Sequence, residues 1–265
     1  MADLSYLGLA LLALTAFVVG FSKTGFPGMG ILAVPLTAIA VAVDTHQGAA
    51  RNSTGLLLPL LIAGDIMAVL YWRRKANWKS IAKLIPAALL GVIAGYLLMQ
   101  FHLLWEDRVL FPVIGGIVLL MLALAYLRKY LASRSGEVRV PQGWYFPASM
   151  GLAGGLTTLL GNAAGPIMAL YLLAMRLPKE EFLGTAAWFF LLVNLFKVPF
   201  LWKLGLINKT SLPLNLMMLP ILILAGILGI ILAKRLSEKS FVWIVETLAV
   251  IGALVVALKP WIVFK

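Results

Sequence analysis

The chain has 265 residues, is 62% hydrophobic and only 12% charged, and carries a formal net charge of +12 with a mean hydropathy of +1.01. That composition excludes a soluble globular domain, and because the cations fall in short loops between apolar runs, the positive balance marks membrane topology and not a nucleic-acid surface. With no cysteine, disulfides, thiolate metal sites and thiol nucleophiles are excluded as well.

Apolar runs of bilayer length recur from end to end, whereas the short alternating strands of a β-barrel are missing, so the expected class is an all-α polytopic membrane protein. The first run, Leu4 to Val19, follows Asp3, lacks a basic leader and continues into a motif, so it reads as a span and not as a cleaved signal peptide. In the first half, segments are expected at about residues 4–20, 27–43, 54–72, 82–100 and 108–127. In the second they are expected at about 144–160, 163–175, 184–203, 212–233 and 241–258. The two sets superpose at an offset of about 134 residues: Pro86 falls on Pro220, Gly95 on Gly229 and Gly20 on Gly154. This predicts a first transmembrane repeat over 1–132, a cytoplasmic linker over 133–143 and a second repeat over 144–265.

Between the first two segments runs Gly20-Phe-Ser-Lys23-Thr24-Gly25-Phe-Pro27-Gly28-Met-Gly30, with four glycines and a proline in eleven residues. Such a stretch does not continue a helix, and irregular backbone at membrane depth survives only when buried in protein or lining a wet cavity. A new helix beginning near Pro27 offers free N–H groups and a positive dipole end to an anion, and Lys23 and Thr24 add a charge and a hydroxyl. The plainer reading is a cytoplasmic turn with one topological lysine.

Asn52 and Ser53 open the third segment just after Arg51, and Asp65 lies deeper in it after Gly64. Ionisable groups inside spans are expensive and usually functional. Asp65 is therefore either a coupling carboxylate, an ion-pair partner of Lys197, or an interfacial residue near the basic cluster Arg73, Arg74, Lys75, Lys79 and Lys83. Further basic loops follow at Arg128, Lys129, Arg134 and Arg139, and at Lys234, Arg235 and Lys239. Placing all three in the cytoplasm gives ten crossings with both termini outside and inverted halves; if the broken segments do not cross, the number falls toward eight.

The second break, Gly151 to Pro166, supplies Thr157, Thr158, Asn162 and Gly165 as neutral donors and flexible backbone, or alternatively as small residues that let helices pack closely. In the eighth segment Asn194 and Lys197 precede Pro199; Lys197 either serves an anion or snorkels to the interface. The candidate substrate contacts are thus Lys23, Thr24, Gly25, Gly28, Gly30, Asn52, Ser53, Thr157, Thr158, Asn162, Gly165 and Lys197, with Asp65 and Lys197 as a coupling or ion pair. No catalytic residue, cofactor or metal is expected. The two histidines, His46 and His102, read as loop residues, and neither a Walker loop nor a paired acidic motif is present.

The stretches GFSKTGFPGMGILAVPL, LPLLIAGDIMAVLYWRRKANW and GLAGGLTTLLGNAAGP resemble the TauE/SafE family of sulfite and organosulfonate exporters, along nearly the whole chain. The resemblance implies a bacterial inner-membrane permease that exports a small sulfur-containing anion such as sulfite, sulfoacetate or a related sulfonate. On the residues alone, the leading reading is an alternating-access carrier with its substrate between the two breaks near the bilayer midplane. An anion channel is the nearest rival. An intramembrane enzyme or assembly factor requires a nucleophile with its base, or clustered carboxylates, within the spans, and neither is visible.

Overall fold

The computed structural model describes residues 5–45, 49–100, 107–134, 143–207 and 211–263. These residues form ten α-helices and no strand, so the protein is all-α, and each expected apolar segment has its helix. In the first half they are α1 (Tyr6–Gly25), α2 (Ala33–Thr45), α3 (Ala49–Trp72), α4 (Trp78–Met99) and α5 (Asp107–Arg134). In the second they are α6 (Tyr145–Gly161), α7 (Gly165–Ala174), α8 (Lys179–Lys203), α9 (Ser211–Arg235) and α10 (Glu238–Val263). Among the described residues five helical stretches are long and apolar enough to cross a membrane: Tyr6–Gly25, Ser53–Lys75, Trp78–Met99, Lys179–Lys203 and Leu212–Arg235. His46, His102 and residues 135–142 of the expected linker lie outside the described residues.

Local chemistry sets the helix ends. Ser5 caps α1 by accepting from the Gly8 N–H at 3.1 Å, and Asn77 caps α4 by accepting from the Ser80 N–H at 3.1 Å. Contrary to the expectation that the chain breaks from Gly20, α1 stays helical through Lys23 to Gly25; Gly28 at φ 104° and a 3-10 turn over Met29–Leu32 then redirect the chain into α2, which starts at Ala33 and not near Pro27. α6 ends on Asn162 in the left-handed region at φ 55°. There the Ala163 N–H bonds the Thr157 carbonyl at 3.2 Å and the Asn162 N–H bonds that of Thr158 at 3.0 Å. The second bond is the 5→1 closure of an αL cap, with asparagine tolerating the backbone that glycine usually takes. Two residues later Gly165-Pro166 opens α7, proline fitting a first turn because it has no N–H to satisfy.

The two halves are interleaved. α1 packs chiefly on α9 and α4 chiefly on α6, so each principal contact joins one half to the other, while α3 lies against α8 and α5 against α10. Glycine permits both close crossings: a methyl at Gly20 would meet the Leu222 carbonyl, and one at Gly155 the Ala88 carbonyl. The outward faces remain apolar, as at Leu216, Leu224 and Leu90, and suit a lipid surround. Where α3 ends, an exposed ion pair joins Lys75 to Glu180 at 2.8 Å.

Candidate functional site

α3 and α8 are packed together at the centre of the molecule, and each turns polar groups inward at helical spacing. On α3 these are Thr54 and Asp65, with Leu61 between them; on α8 they are Asn194 and Lys197, one and two turns past Phe190. All four polar residues are buried, Asp65 and Lys197 completely. The two breaks close on this pair of helices and touch one another, for a methyl at Gly165 would lie 3.8 Å from the Gly28 Cα.

At this junction is a cavity of about 40 Å³, room for a few waters or one small oxyanion. Lys23, Gly28 and Gly30 of the first break line it, opposite Thr158, Asn162 and Gly165 of the second. The remaining wall includes Asp65 from α3 and Phe190 and Asn194 from α8.

Lys23 reaches back along α1 so that its Nζ is 2.8 Å from Asp65 Oδ1, with side chains 10% and 0% exposed, and sits 3.9 Å above the Phe190 ring centre. The approach to Oδ1 is an ion-pair contact lying off the hydrogen-bonding direction, and that oxygen has no hydrogen bond. Asp65 Oδ2 accepts from Asn194 Nδ2 at 2.6 Å. Lys197 stands just behind the wall. Its Nζ donates to Asn162 Oδ1 at 2.7 Å, the Thr158 carbonyl at 2.9 Å, Thr158 Oγ1 at 3.1 Å and Asn194 Oδ1 at 3.1 Å. Asn162 Nδ2 in turn donates to the Thr54 carbonyl at 3.1 Å. A continuous polar network thus runs from the first break through α3 and α8 to the second break, in surroundings where an unpartnered charge would be costly.

Seven of the sequence candidates meet at this network: Lys23, Gly28, Gly30, Thr158, Asn162, Gly165 and Asp65, with Lys197 bonded to two of them. Asp65 pairs with Lys23, and is linked to Lys197 only through Asn194. Others lie elsewhere. The Thr157 hydroxyl donates to the Ala153 carbonyl of its own helix at 2.8 Å, and a methyl at Gly25 would run into Gly229 on α9. Ser53 is buried on α3 away from the cavity wall, and the side chain of Asn52 lies outside the described residues.

Thr24 also faces the α1–α9 seam, its hydroxyl within 2.8 Å of the Gly226 carbonyl and 3.0 Å of that of Gly20. Its own carbonyl, one of those left over at the helix end, accepts from Trp72 Nε1 at 2.8 Å. Thr24→Val is therefore expected to lower stability by about 1–2 kcal/mol while sparing flux, as read by denaturation in detergent beside transport in proteoliposomes. Loss of flux from a protein of unchanged stability would return Thr24 to the substrate path.

Sequence reasoning passed over Phe190 and the Thr54 carbonyl and left Asn194 out of the candidate contacts. The helical spacing of Phe190, Asn194 and Lys197 was the signal for the α8 face. Among the described residues no group of three or more His, Cys, Asp or Glu gathers as a metal site.

No curated protein and no solved structure matches the chain. A family model described as the sulfite exporter TauE/SafE matches residues 12–256, from α1 into α10 and across both breaks and the cavity. The chain belongs to the TauE/SafE sulfite exporter family, a family of membrane transporters for sulfur anions.

Proposed function

We propose that this protein exports a small sulfur oxyanion, sulfite foremost, by alternating access, holding it between the two helix breaks near the bilayer midplane. The observation that carries the reading is the small cavity lined from both breaks, where Lys23 and Asp65 are the charged side chains in the wall and Lys197 stands one layer behind. An oxyanion with several acceptor oxygens suits donors converging from Lys23, the Thr158 hydroxyl and the irregular backbone around Gly28 and Gly165. Lys197 strengthens the positive potential from one layer behind.

The two halves are inverted repeats. Exchanging them turns the α1–α9 contact into the α6–α4 contact, and Pro86 and Pro220 occupy matching places in α4 and α9; both facts support the repeat. With the basic loops cytoplasmic, a membrane potential negative inside favours expulsion of an anion by about 2.3 kcal/mol per charge per 100 mV.

The test is flux of sulfite, sulfoacetate and sulfate into proteoliposomes holding the purified protein, with and without an imposed pH gradient. Saturable sulfite flux with counterflow is expected, exceeding that of sulfate. Ohmic single-molecule current in place of saturation would make the protein a channel, and no flux from demonstrably folded protein would overturn the substrate.

A further inference from the structure

We propose that Asp65 sets the net charge of this site, and thereby makes it select small oxyanions bearing one negative charge over those bearing two. The proposal rests on the anion-site reading above and specifies the ligand that such a site takes. Three ionisable side chains belong to the network: Lys23, Asp65 and Lys197. Lys23 and Asp65 border the cavity and Lys197 lies one layer behind; among the described residues no other acidic or basic side chain lines it.

The hydrogen bonds favour the charged form of each. Each amide beside Lys197 has its nitrogen committed elsewhere, Asn162 Nδ2 to the Thr54 carbonyl and Asn194 Nδ2 to Asp65 Oδ2, so both present oxygen to the lysine. With the Thr158 carbonyl and hydroxyl, every described hydrogen-bond neighbour of Lys197 Nζ offers an acceptor, the environment of an ammonium with its three donors and no acceptor. Asp65 accepts from Asn194 on one oxygen and faces the Lys23 ammonium with the other, the environment of a carboxylate.

Two ammonium groups and one carboxylate leave one positive charge uncancelled inside an apolar bundle. A monoanion completes the neutralisation. A dianion of the same size brings a second charge with no counterpart, which a low-dielectric site strongly disfavours, and the dipole at the start of α7 offsets only a fraction of it. Asp65 is the residue that cancels the first lysine, so its replacement by a neutral isostere raises the site's capacity from one negative charge to two.

Methanesulfonate and sulfate test this, being close in size and shape but differing by one charge at all working pH values. Their affinities for the full chain are read from thermal protection in detergent and from competition with sulfite flux in proteoliposomes. The wild-type protein is expected to prefer methanesulfonate by about tenfold or more, and Asp65→Asn to shift the preference toward sulfate by about tenfold. The double variant Lys23→Met with Asp65→Asn, which returns the site to one positive charge, is expected to recover the monoanion preference. A folded Asp65→Asn protein with the wild-type preference, or a double variant that keeps the preference of Asp65→Asn, would overturn the proposal.

If Asp65→Asn does not fold, Asn162→Asp carries the test the other way, since it gives Lys197 a counter-charge and brings the site to neutrality. Methanesulfonate affinity must then fall by about tenfold, and an unchanged affinity overturns the proposal. Sulfite protection of the wild type without discrimination between methanesulfonate and sulfate defeats the charge argument alone. No protection by any of the three anions defeats the anion-site reading itself.

Discussion

Lys197→Met is expected to reduce sulfite flux by about 100-fold, corresponding to loss of roughly 3 kcal/mol of charge-assisted stabilisation of the anion. Lys197 is completely buried, and its ammonium holds Thr158, Asn162 and Asn194 in one arrangement. Methionine fills much the same volume but removes both the surplus charge and the donor that aims Asn162 and Thr158 at the cavity. Stability should fall too, since three side-chain acceptors lose a partner, although the adjoining cavity can admit water to them. Flux normalised to folded protein in proteoliposomes separates the two effects. Near-normal flux per folded molecule would remove Lys197 from the transport mechanism.

Lys23→Ala is a less direct probe than its place in the first motif suggests. It strands the Asp65 carboxylate, and breaking a buried pair from one side costs about 3–5 kcal/mol. The double replacement with Asp65→Asn removes both charges together and is the variant in which transport can be judged without that penalty.

Gly155→Ala and Gly20→Ala are each expected to cost about 3 kcal/mol or more, enough to remove most folded protein from membranes. In both cases the added methyl collides with a backbone carbonyl of the helix opposite, Ala88 for Gly155 and Leu222 for Gly20. A carbonyl cannot swing aside as a long side chain can, so the helices must separate along the crossing and lose the contacts that join the two halves. Gly116→Ala is the control. A methyl there meets nothing within 4 Å, so the change is expected to be neutral or to stabilise α5 by up to about 1 kcal/mol. Yield of monodisperse protein and the thermal midpoint in detergent read all three. Wild-type behaviour of Gly155→Ala and Gly20→Ala would mean that these seams are looser than described.

The ten helices were legible because lipid demands long apolar runs, and because glycine and proline punctuate them at Gly25–Gly30 and Gly161–Pro166. The polar residues of the site also stood out singly, since Lys23, Asp65 and Lys197 are conspicuous within apolar sequence. Their partners did not. Asp65 was expected to pair with Lys197 if it paired at all, whereas its carboxylate meets Lys23 and reaches Lys197 only by way of Asn194. Thr24 and Thr158 look alike in the two motifs, yet one bonds the α9 backbone and the other faces the cavity.

The sequence by itself determined the all-α membrane architecture and where its apolar helices fall. Hydropathy and backbone conformational preference act over a few neighbouring residues, and a single chain displays them directly. Only the tertiary structure decided which hydroxyl is spent on a helix seam and which lysine has a counter-ion. Those outcomes depend on distances of 2.6–3.1 Å between residues as far apart as Asp65 and Asn194, set by how closely glycine lets α1 approach α9 and α4 approach α6. No local pattern encodes such distances, because each one is fixed jointly by all the helices that pack around it.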